Sequence, residues 1–403
     1  VHQRSNVYKD PIIATNYFKG LQWQNTRHPL FRRVIESDFK EMKSLGISHI
    51  YRYGPSIYND NILKEAEEQN FDISYSFFIG DLKDFNPDNP LLISREEEII
   101  KELKKRSNEE RIIAWHLGGA PFNKLDQMYH PPELIYQRQL LFKWLDKLGA
   151  QIKQVDTTRP LSAELQYSVN VTEEARSIFT AVKNIDGIGV SFDSEPEDLA
   201  ALEQRMAACE SPLFIQSIGP ETGALLSKAG YRVSFSAWQD DIFENYVSLN
   251  GLKSLDGYKK KGFAQLEQLE DKGEKPALLQ KQGFKVIPLA RAAFSGQMQT
   301  YTCLIKEKNQ WRSLAGDSVK VDWYLAKLNE DGEPAVIKSL DEKGPVIKIT
   351  LPANPDRYTI IAYLVDEGYT LVAKSGLNTP LYLGRDLYTP TKEEIEFYRK
   401  KTL

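Results

Sequence analysis

Two patterns of hydrophobic and polar positions follow one another along this chain. From residue 10 to about 245, short apolar runs alternate with amphipathic segments, which is typical of a parallel α/β fold. The apolar runs predict strands at 17–23, 47–53, 71–80, 161–167, 187–193, 213–217 and 232–238, and one more that runs from Arg111 into a small-residue loop at Gly118. Helical spacing predicts helices at 36–45, 61–69, 95–106, 132–154, 172–182 and 197–208, and a last one from about residue 240. Eight strand-helix units in order predict a (β/α)8 TIM barrel.

The pattern changes to short β-rich runs from residue 284 onward. These runs lie at 301–306, 319–325, 335–340, 346–351, 357–365 and 369–374, and turn-forming residues separate them. Such spacing predicts a β-sandwich. The stretch Pro355–Tyr363 resembles the penultimate strands of immunoglobulin-like modules on bacterial surface proteins. The predicted fold class is therefore α/β, with a TIM barrel followed by a C-terminal all-β immunoglobulin-like sandwich.

The same patterns predict the domain boundaries. We expect a barrel over residues 1–250, a connector rich in Lys, Gln, Glu and Gly over 251–283, a sandwich over 284–385 and a charged tail over 386–403, with a helix from about 390. A length of 403 residues suits a barrel of about 250 residues plus a smaller domain.

Composition narrows the classes of partner. The chain has 52 basic and 56 acidic residues and a net charge of −4, which argues against a general nucleic-acid surface. It has no apolar run of about 18 residues, so we expect no membrane span. Cys209 and Cys303 fall in different predicted domains, which disfavours a structural disulfide and leaves the redox compartment open. The chain begins at Val1, so we expect a processed or trimmed product whose signal peptide would be out of view.

Motifs for metals and cofactors are absent from the sequence. The five histidines show no His-x-x-x-His spacing, and the cysteines show no Cys-x-x-Cys spacing, so no metal site is predicted. Gly-x-Gly-x-x-Gly, P-loop and Gly-x-Ser-x-Gly patterns do not occur. We therefore expect no cofactor.

Several motifs of the first 240 residues resemble the barrel domain of family 2 glycoside hydrolases, within the clan A superfamily. Ala114-Trp-His-Leu-Gly118 is similar to that family's fourth strand, where the motif runs Trp-x-Leu-Gly-Asn-Glu and the Glu is the acid/base. The likeness continues at Lys19–Gln22, at Asp38–Ser48 with Tyr51 and Arg52, at Ile152–Pro160 and at Asp186–Gly189, and Trp238 matches a Trp of the eighth strand. The resemblance spans about 230 residues in order and implies the barrel fold.

The resemblance also implies two catalytic carboxyl groups, and both positions differ here. Gly119 and Ala120 stand where the family has Asn and the acid/base Glu. Ser217 stands where the seventh strand would carry the nucleophilic Glu, with Gln216 beside it. A retaining glycosidase needs both groups, about 5–5.5 Å apart. Loss of general acid catalysis alone costs about 10²–10⁴-fold in rate. We therefore assign no catalytic residue.

Other carboxyl groups are predicted to lie around the barrel mouth and leave an alternative open. Glu164, Asp193, Glu221 and either Asp240 or Asp241 follow strands or lie within them. A pair of them about 6.5–9.5 Å apart would make an inverting site. The sequence favours helix caps or salt-bridge partners for these residues over relocated catalysis.

The predicted substrate-binding residues are Trp23, Arg52, Asp193, Glu221 and Trp238. The two Trp rings would stack on sugar faces, with packed rim aromatics as the alternative. The resemblance gives Arg52 the role of supporting the nucleophile's charge. In this chain its guanidinium would interact with Asp193 or with a ligand. The alternative is that Arg52 forms a structural ion pair. Asp193 stands where the family often has an orienting Tyr. Trp115 and His116 are predicted to be core residues.

These observations favour a catalytically inactive glycoside hydrolase-like protein that binds carbohydrate or serves as an accessory domain in polysaccharide handling. One alternative is an active glycoside hydrolase with relocated carboxylates. Another is a structural or assembly component with a vestigial cleft and a protein partner. The resemblance, and not the composition, implies an extracytoplasmic location, whether secreted, periplasmic or at the cell surface.

Overall fold

A computed structural model describes most of the chain, in two compact units. The described residues are 8, 11–21, 23, 29–192, 204–205, 213–243, 246–270, 277–289, 293–294, 296–329, 334–353, 356–375 and 381–382. The first unit runs through Asp241 and also includes Leu249–Gly257 and the segment that starts at Lys261. The second unit takes Ile242–Ser248, Tyr258–Lys260 and the described residues from 277 onward.

The first unit is a barrel of eight parallel strands surrounded by helices, as the sequence predicts. The strands are β1 (Ile13–Asn16), β2 (His49–Gly54), β3 (Asp72–Phe78), β4 (Ile112–Gly118), β5 (Leu161–Gln166), β6 (Gly187–Ser191), β7 (Leu213–Ser217) and β8 (Val233–Phe235). The helices are α1 (Arg32–Ser44), α2 (Asn59–Gln69), α3 (Pro90–Arg106), α4 (Pro121–Met128), α5 (Glu133–Val155), α6 (Val171–Ala181) and α7 (Pro220–Lys228). The strand order is β7-β6-β5-β4-β3-β2-β1-β8, so each of β1 to β7 lies beside its neighbour in sequence.

Alternation along each strand separates the helix-facing core from the barrel lumen. In β3, Ile73, Tyr75 and Phe77 belong to the large hydrophobic core beneath the helices. Ser74 and Ser76 alternate with them, and they are just as buried. Because successive strand residues point to opposite faces, these serines point into the lumen.

The ring closes where β7 and β8 meet, a place that we call the seam. The Ile218 N–H donates to Ser234 O at 3.0 Å, and the Ser236 N–H donates to Ile218 O at 2.9 Å. Asn16 spans the seam as well, because its Nδ2 donates to Phe235 O at 3.2 Å and to Gln216 O at 3.4 Å. The eight strands thus form a nearly closed barrel.

The position of the first strand differs from the prediction. We expected it at 17–23, but β1 ends at Asn16. Beyond it the chain turns, with the Leu21 N–H donating to Phe18 O and Gly20 in a left-handed conformation at φ +80°. The short helix α4 was not predicted. Of the predicted helix at 197–208, only residues 204 and 205 are described, and the predicted tail helix lies outside the described residues.

The segment after β8 adds further elements: β9 (Ala237–Gln239), β10 (Asp241–Ile242), β11 (Val247–Ser248), β12 (Gly251–Lys253) and helix α8 (Lys261–Glu270). Strand β12 pairs in parallel with β9, and α8 packs against α7. Part of the predicted connector is therefore ordered structure on the barrel unit.

The second unit is built from antiparallel sheets, consistent with a β-sandwich. Its elements are a 3-10 turn (Ala277–Gln280) and the strands β13 (Gly283–Pro288), β14 (Ala293–Phe294), β15 (Met298–Glu307), β16 (Gln310–Ser313), β17 (Lys320–Leu328), β18 (Pro334–Lys343), β19 (Val346–Thr350), β20 (Tyr358–Asp366), β21 (Tyr369–Lys374) and β22 (Leu381–Tyr382). One sheet has the order β13-β15-β16, with β19 also on β15, and the other has the order β18-β17-β20-β21. Both contribute to one core around Trp323, Cys303 and Ile360.

Candidate functional site

The barrel lumen is lined by polar side chains, and the strand register shows which ones share it. Asn16 pairs with Tyr51, and Tyr51 pairs with Ser74. Residues at paired positions of parallel strands point to the same face. Two positions further along the strands, His116 pairs with Ser162. Glu164 follows two residues after Ser162 and therefore also points into the lumen.

Glu164 is a buried carboxylate at the carboxyl end of β5, where a TIM barrel carries its functional groups. One carboxylate oxygen accepts the Gly119 N–H at 2.6 Å. His116 Nε2 lies 3.9 Å from the same oxygen, beyond hydrogen-bond length, while His116 Nδ1 lies 2.8 Å from Ser162 Oγ. The side chain is therefore held, beside a histidine, by the segment Gly118–Ala120 at the end of β4, which we call the β4 loop.

The surroundings of Glu164 keep its carboxyl group ionised. Burial alone would raise its pKa, but the neighbouring His116, the Gly119 N–H and the Ser191 hydroxyl together lower the pKa below the ordinary 4.5. A group with a lowered pKa is a poor proton donor near neutral pH. It is a good hydrogen-bond acceptor, or a base.

Three aromatic side chains form a row at the ends of β1, β2 and β3, and we call them the aromatic row. The ring centroids of Phe18 and Tyr53 are 5.7 Å apart with planes at 22°, and those of Tyr53 and Phe78 are 6.3 Å apart. Phe78 is 47% exposed, so the row opens to solvent at that end. Exposed aromatic faces of this kind can cover the apolar face of a ring-shaped ligand.

Glycines bring the aromatic row next to Glu164. A Cβ at Gly118 would lie 2.3 Å from the Tyr53 hydroxyl, so only glycine leaves room for that ring. The next residue, Gly119, lies against Gly80 and gives its N–H to Glu164. Tyr53 and Glu164 thus contact consecutive residues of the β4 loop, which places an aromatic surface beside a hydrogen-bond acceptor.

Arg52, which we predicted to bind substrate, holds the loop that carries Phe18. It is 1% exposed, and its guanidinium donates to Tyr17 O at 2.8 Å, Lys19 O at 2.7 Å and Asn59 Oδ1 at 2.8 Å. Burial is the largest influence on the guanidinium and lowers its pKa from 12.5 to about 10. These partners are neutral, and they give Arg52 a role in positioning the loop; Asp193, its predicted partner, lies outside the described residues.

Asp38 of helix α1 holds the same loop from the other side. Its carboxylate accepts the Tyr17 hydroxyl at 2.8 Å, the Lys19 ammonium at 2.7 Å and the Trp238 Nε1–H at 3.0 Å. Both neighbours of Phe18 in sequence are therefore fixed.

The two predicted tryptophans differ in exposure. Trp238 is 1% exposed, its ring lies against Phe263, and Lys253 Nζ lies 5.4 Å from its centroid. This burial favours a packed aromatic over a ring that stacks on a sugar. Trp23 is partly exposed and meets Tyr58 edge-on, with centroids 6.4 Å apart.

The structure gives Glu221 and Asp240 partners other than Glu164. Glu221 is half exposed in the first turn of α7, where it pairs with Lys261. Asp240 is buried and accepts the Gly251 N–H at 2.8 Å. Asp193 lies outside the described residues.

The positions that resemble the family's catalytic pair have other contacts here. Ala120 follows Gly119 in a left-handed conformation at φ 45° and precedes α4. Ser217 Oγ donates to Ser236 Oγ at 3.0 Å, across the seam.

Several polar atoms of the lumen lack a protein partner in the part of the chain that the structure describes. They are Asn16 Oδ1, His49 Nδ1, Tyr51 OH, His116 Nε2, both amide atoms of Gln216 and Ser234 Oγ. All six side chains are at most 3% exposed. An unsatisfied buried polar group costs about 1–3 kcal/mol, and native proteins keep few of them. These atoms therefore leave hydrogen-bonding capacity unused inside the barrel.

The described residues contain no group of three or more His, Cys, Asp or Glu side chains arranged to hold a metal ion. Among the helices that the structure describes, none combines the length and the apolar character needed to cross a membrane.

Sequence reasoning missed the aromatic row and the polar lumen. The signals were present, since His49, Tyr51 and Tyr53 alternate along β2, and Ser162 and Glu164 alternate along β5. Polar residues at every second position of a buried strand indicate a lumen face.

Comparison with known proteins gives similarity in structure alone. No protein-family model matches the chain, and no curated protein matches it. The β-glucuronidase of Bacteroides uniformis is 13% identical, with a TM-score of 0.47, and the match covers 88% of this chain and 44% of that one. The β-D-glucuronidase of Dictyoglomus thermophilum is 14% identical, with a TM-score of 0.49 and coverages of 66% and 51%. The β-mannanase of the blue mussel Mytilus edulis is 12% identical, with a TM-score of 0.40 and coverages of 56% and 85%. This chain spans less than half the length of the Bacteroides enzyme.

Proposed function

We propose that this protein is a glycoside hydrolase-like barrel that binds carbohydrate without cleaving it, on its own or as an accessory domain in polysaccharide handling. The observation that carries the proposal is the pairing of the aromatic row with the Glu164 carboxylate at the barrel mouth. A sugar offers an apolar C–H face and a rim of hydroxyl groups. An aromatic plane beside a fixed acceptor matches both.

The loss of catalysis is part of the proposal and rests on the sequence. Ala120 and Ser217 occupy the positions at which family 2 barrels carry their two catalytic Glu residues. Neither a methyl group nor a hydroxyl can replace a carboxyl as proton donor or as the nucleophile of a retaining mechanism. The extracytoplasmic location proposed for the protein rests on the same resemblance.

Glu164 is also the observation that favours the second candidate, an active glycosidase with relocated carboxylates. Its lowered pKa suits a base or a nucleophile and opposes the role of general acid. That mechanism would need a second carboxyl group of raised pKa across the cleft, and Asp193 and Glu221 are the candidates from the sequence. A third candidate, an assembly component, predicts no glycan ligand.

A glycan-array screen of the purified chain, with hydrolysis assays on every hit, separates these candidates. We expect binding without turnover, and we expect Phe78→Ala and Glu164→Gln each to weaken binding at least tenfold. Turnover that Glu164→Gln abolishes would establish the relocated site instead. Absence of any glycan ligand would move the search to protein partners.

Glu36→Gln is a matched control for the carboxylate substitution. Glu36 lies on α1 and pairs with Lys40 on the exposed surface. The same chemical change there should leave glycan affinity unaltered.

A further inference from the structure

A chain of buried hydrogen bonds links helix α3 to the aromatic row. Its members come from α3, β3, α2 and β2, and we call these four side chains the relay: Glu102, Tyr75, Asn59 and Arg52. We propose that the relay fixes the spacing of Phe18 and Tyr53, and that Glu102 and Tyr75 are therefore positioning residues for the row. This inference rests on the proposed function, which makes the row a binding surface.

Each link of the relay is a hydrogen bond between buried groups. The Tyr75 hydroxyl donates to Glu102 Oε1 at 2.6 Å. Asn59 Nδ2 donates to the same hydroxyl at 2.7 Å, and Asn59 Oδ1 accepts Arg52 Nε at 2.8 Å. The four residues are at most 8% exposed, so water does not compete for these bonds. A fully satisfied buried network of this kind makes the groups that it connects rigid.

The chemistry of the two ends of the relay sets the direction of every bond. A guanidinium can only donate, so Arg52 must face the oxygen of the Asn59 amide. At the other end, Glu102 pairs with Arg106 at 3.0 Å and acts as an acceptor. The Asn59 amide is therefore held in one orientation, with Nδ2 toward Tyr75. Burial raises the pKa of Tyr75, which keeps the proton that its hydroxyl donates to Glu102.

The relay reaches the backbone at two of the three rings of the row. The Arg52 guanidinium donates to the carbonyls of the residues on either side of Phe18, at 2.8 and 2.7 Å, within residues 17–21, which we call the β1 loop. Asn59 Nδ2 also donates to Tyr53 O at 3.3 Å. One amide side chain thus acts on both rings, on Tyr53 directly and on Phe18 through Arg52. The distance between the two rings therefore depends on how firmly Asn59 is held.

A glycine makes room for the relay where it passes β2. A Cβ at Gly54 would overlap the Tyr75 hydroxyl, so a larger residue would push this hydroxyl away from Asn59. Gly54 directly follows Tyr53. The relay therefore passes beside the second ring of the row.

Tyr75→Phe tests the relay, because it removes only the hydroxyl at its centre. Hydrogen–deuterium exchange of the full chain, followed by mass spectrometry of its peptides, measures order in the β1 loop, where the Leu21 N–H donates to Phe18 O at 3.0 Å. We expect this loop to exchange at least fivefold faster in Tyr75→Phe, because its opening no longer has to break a fixed contact. Exchange in the second unit should not change.

Tyr51→Phe is the matched control. It makes the same chemical change on β2, at a hydroxyl that is buried and has no partner in the part of the chain that the structure describes. We expect the β1 loop of this variant to exchange at the wild-type rate.

Exchange in β3 separates a positioning role from general support of the barrel. If Tyr75→Phe speeds exchange in β3 as much as in the β1 loop, the hydroxyl only stabilises the fold and the proposal is wrong. A β1 loop that exchanges at the wild-type rate in Tyr75→Phe would overturn the proposal as well.

Two substitutions at Glu102 add a rescue test. The bonds from Tyr75 and Arg106 both reach Glu102 Oε1. Glu102→Gln keeps an oxygen there and Glu102→Leu removes it. We expect faster exchange of the β1 loop in Glu102→Leu and a rate close to that of the wild type in Glu102→Gln. Equal rates in the two variants would contradict the relay.

Glycan affinity separates failure of the relay from failure of the proposed function. For any glycan that the array screen identifies, we expect Tyr75→Phe to weaken binding at least threefold. Binding that depends on Phe78 but not on Tyr75, together with wild-type exchange of the β1 loop, would keep the function and overturn the relay. If no glycan binds, the proposed function fails, and the exchange rates alone decide the relay.

Discussion

Removal of the Asp38 carboxylate should destabilise the barrel and also disturb the binding site. Asp38 is 4% exposed and accepts hydrogen bonds from Tyr17, Lys19 and Trp238. Asp38→Ala leaves the Tyr17 hydroxyl and the Trp238 Nε1–H without their acceptor, and both side chains are at most 1% exposed. It also leaves the Lys19 ammonium, at 22% side-chain exposure, without its counter-charge.

These losses set the expected magnitude. Two orphaned buried donors cost about 1–3 kcal/mol each, and breaking a buried ion pair from one side costs about 3–5 kcal/mol. Lys19 is only partly buried, so water recovers part of the second cost. We expect Asp38→Ala to lower the free energy of unfolding by about 3–5 kcal/mol and Asp38→Asn, which keeps one acceptor, by about 1–3 kcal/mol.

Urea unfolding measures this change in the free energy of unfolding. The unfolding transition of the second unit serves as an internal reference, because the substitution should leave its midpoint unchanged. Glu36→Gln on the same helix is the control, since its pair with Lys40 lies on the exposed surface and such pairs contribute little to stability. Because Tyr17 and Lys19 flank Phe18, glycan affinity should fall as well. A change in Asp38→Ala no larger than that in Glu36→Gln would refute this reasoning.

Three further predictions concern the β4 loop and the titrating groups of the lumen. Gly118→Ala should displace the Tyr53 ring, because the new Cβ would lie 2.3 Å from its hydroxyl, and calorimetry should show weaker glycan binding by a protein that still folds. Glu164 has a folded-state pKa below 4.5, so its carboxylate persists as pH falls from 7 to 5. Glycan affinity measured against pH should therefore drop only below that range. The Glu164→Gln variant should lack this drop. Burial, and then the charge of Arg232, hold the pKa of His49 well below 6.5, so His49 stays neutral in the folded state and gains a proton on unfolding. Stability should therefore fall as pH drops below 6.5, by up to about 1.4 kcal/mol per pH unit for this one proton, and urea titrations of His49→Gln should lack that slope.

The sequence predicted the barrel well because its strands are buried on both faces and separated by amphipathic helices. The bounds of β7 were predicted to the residue, and β3 and β5 within two residues of each end. The first strand was misplaced because the aromatic and apolar residues of 17–23 resemble a strand, whereas the turn after Phe18 and the conformation of Gly20 depend on packing against α2.

The candidate site was harder to predict than the fold. Family resemblance directed attention to Arg52 and Trp238, but their roles depend on which neighbours surround them, and a single sequence does not specify that. Arg52 binds backbone carbonyls, and Trp238 is enclosed. Conversely, nothing in the sequence marks Tyr53 and Phe78 as site residues, because Tyr and Phe are common in ordinary strands. Only the glycines of the β4 loop make room for their row.

The seam between β7 and β8 is the place where we expect the barrel to open first. At Ile218 two backbone hydrogen bonds hold these strands, whereas β2 and β3 are paired over six positions. Local opening should begin at the seam, so the amides of Ile218 and Ser236 should exchange with solvent sooner than those of β3. Asn16 braces the seam with one end of its amide and faces the lumen with the other. The ring is therefore held at the seam by a side chain from a third strand, β1.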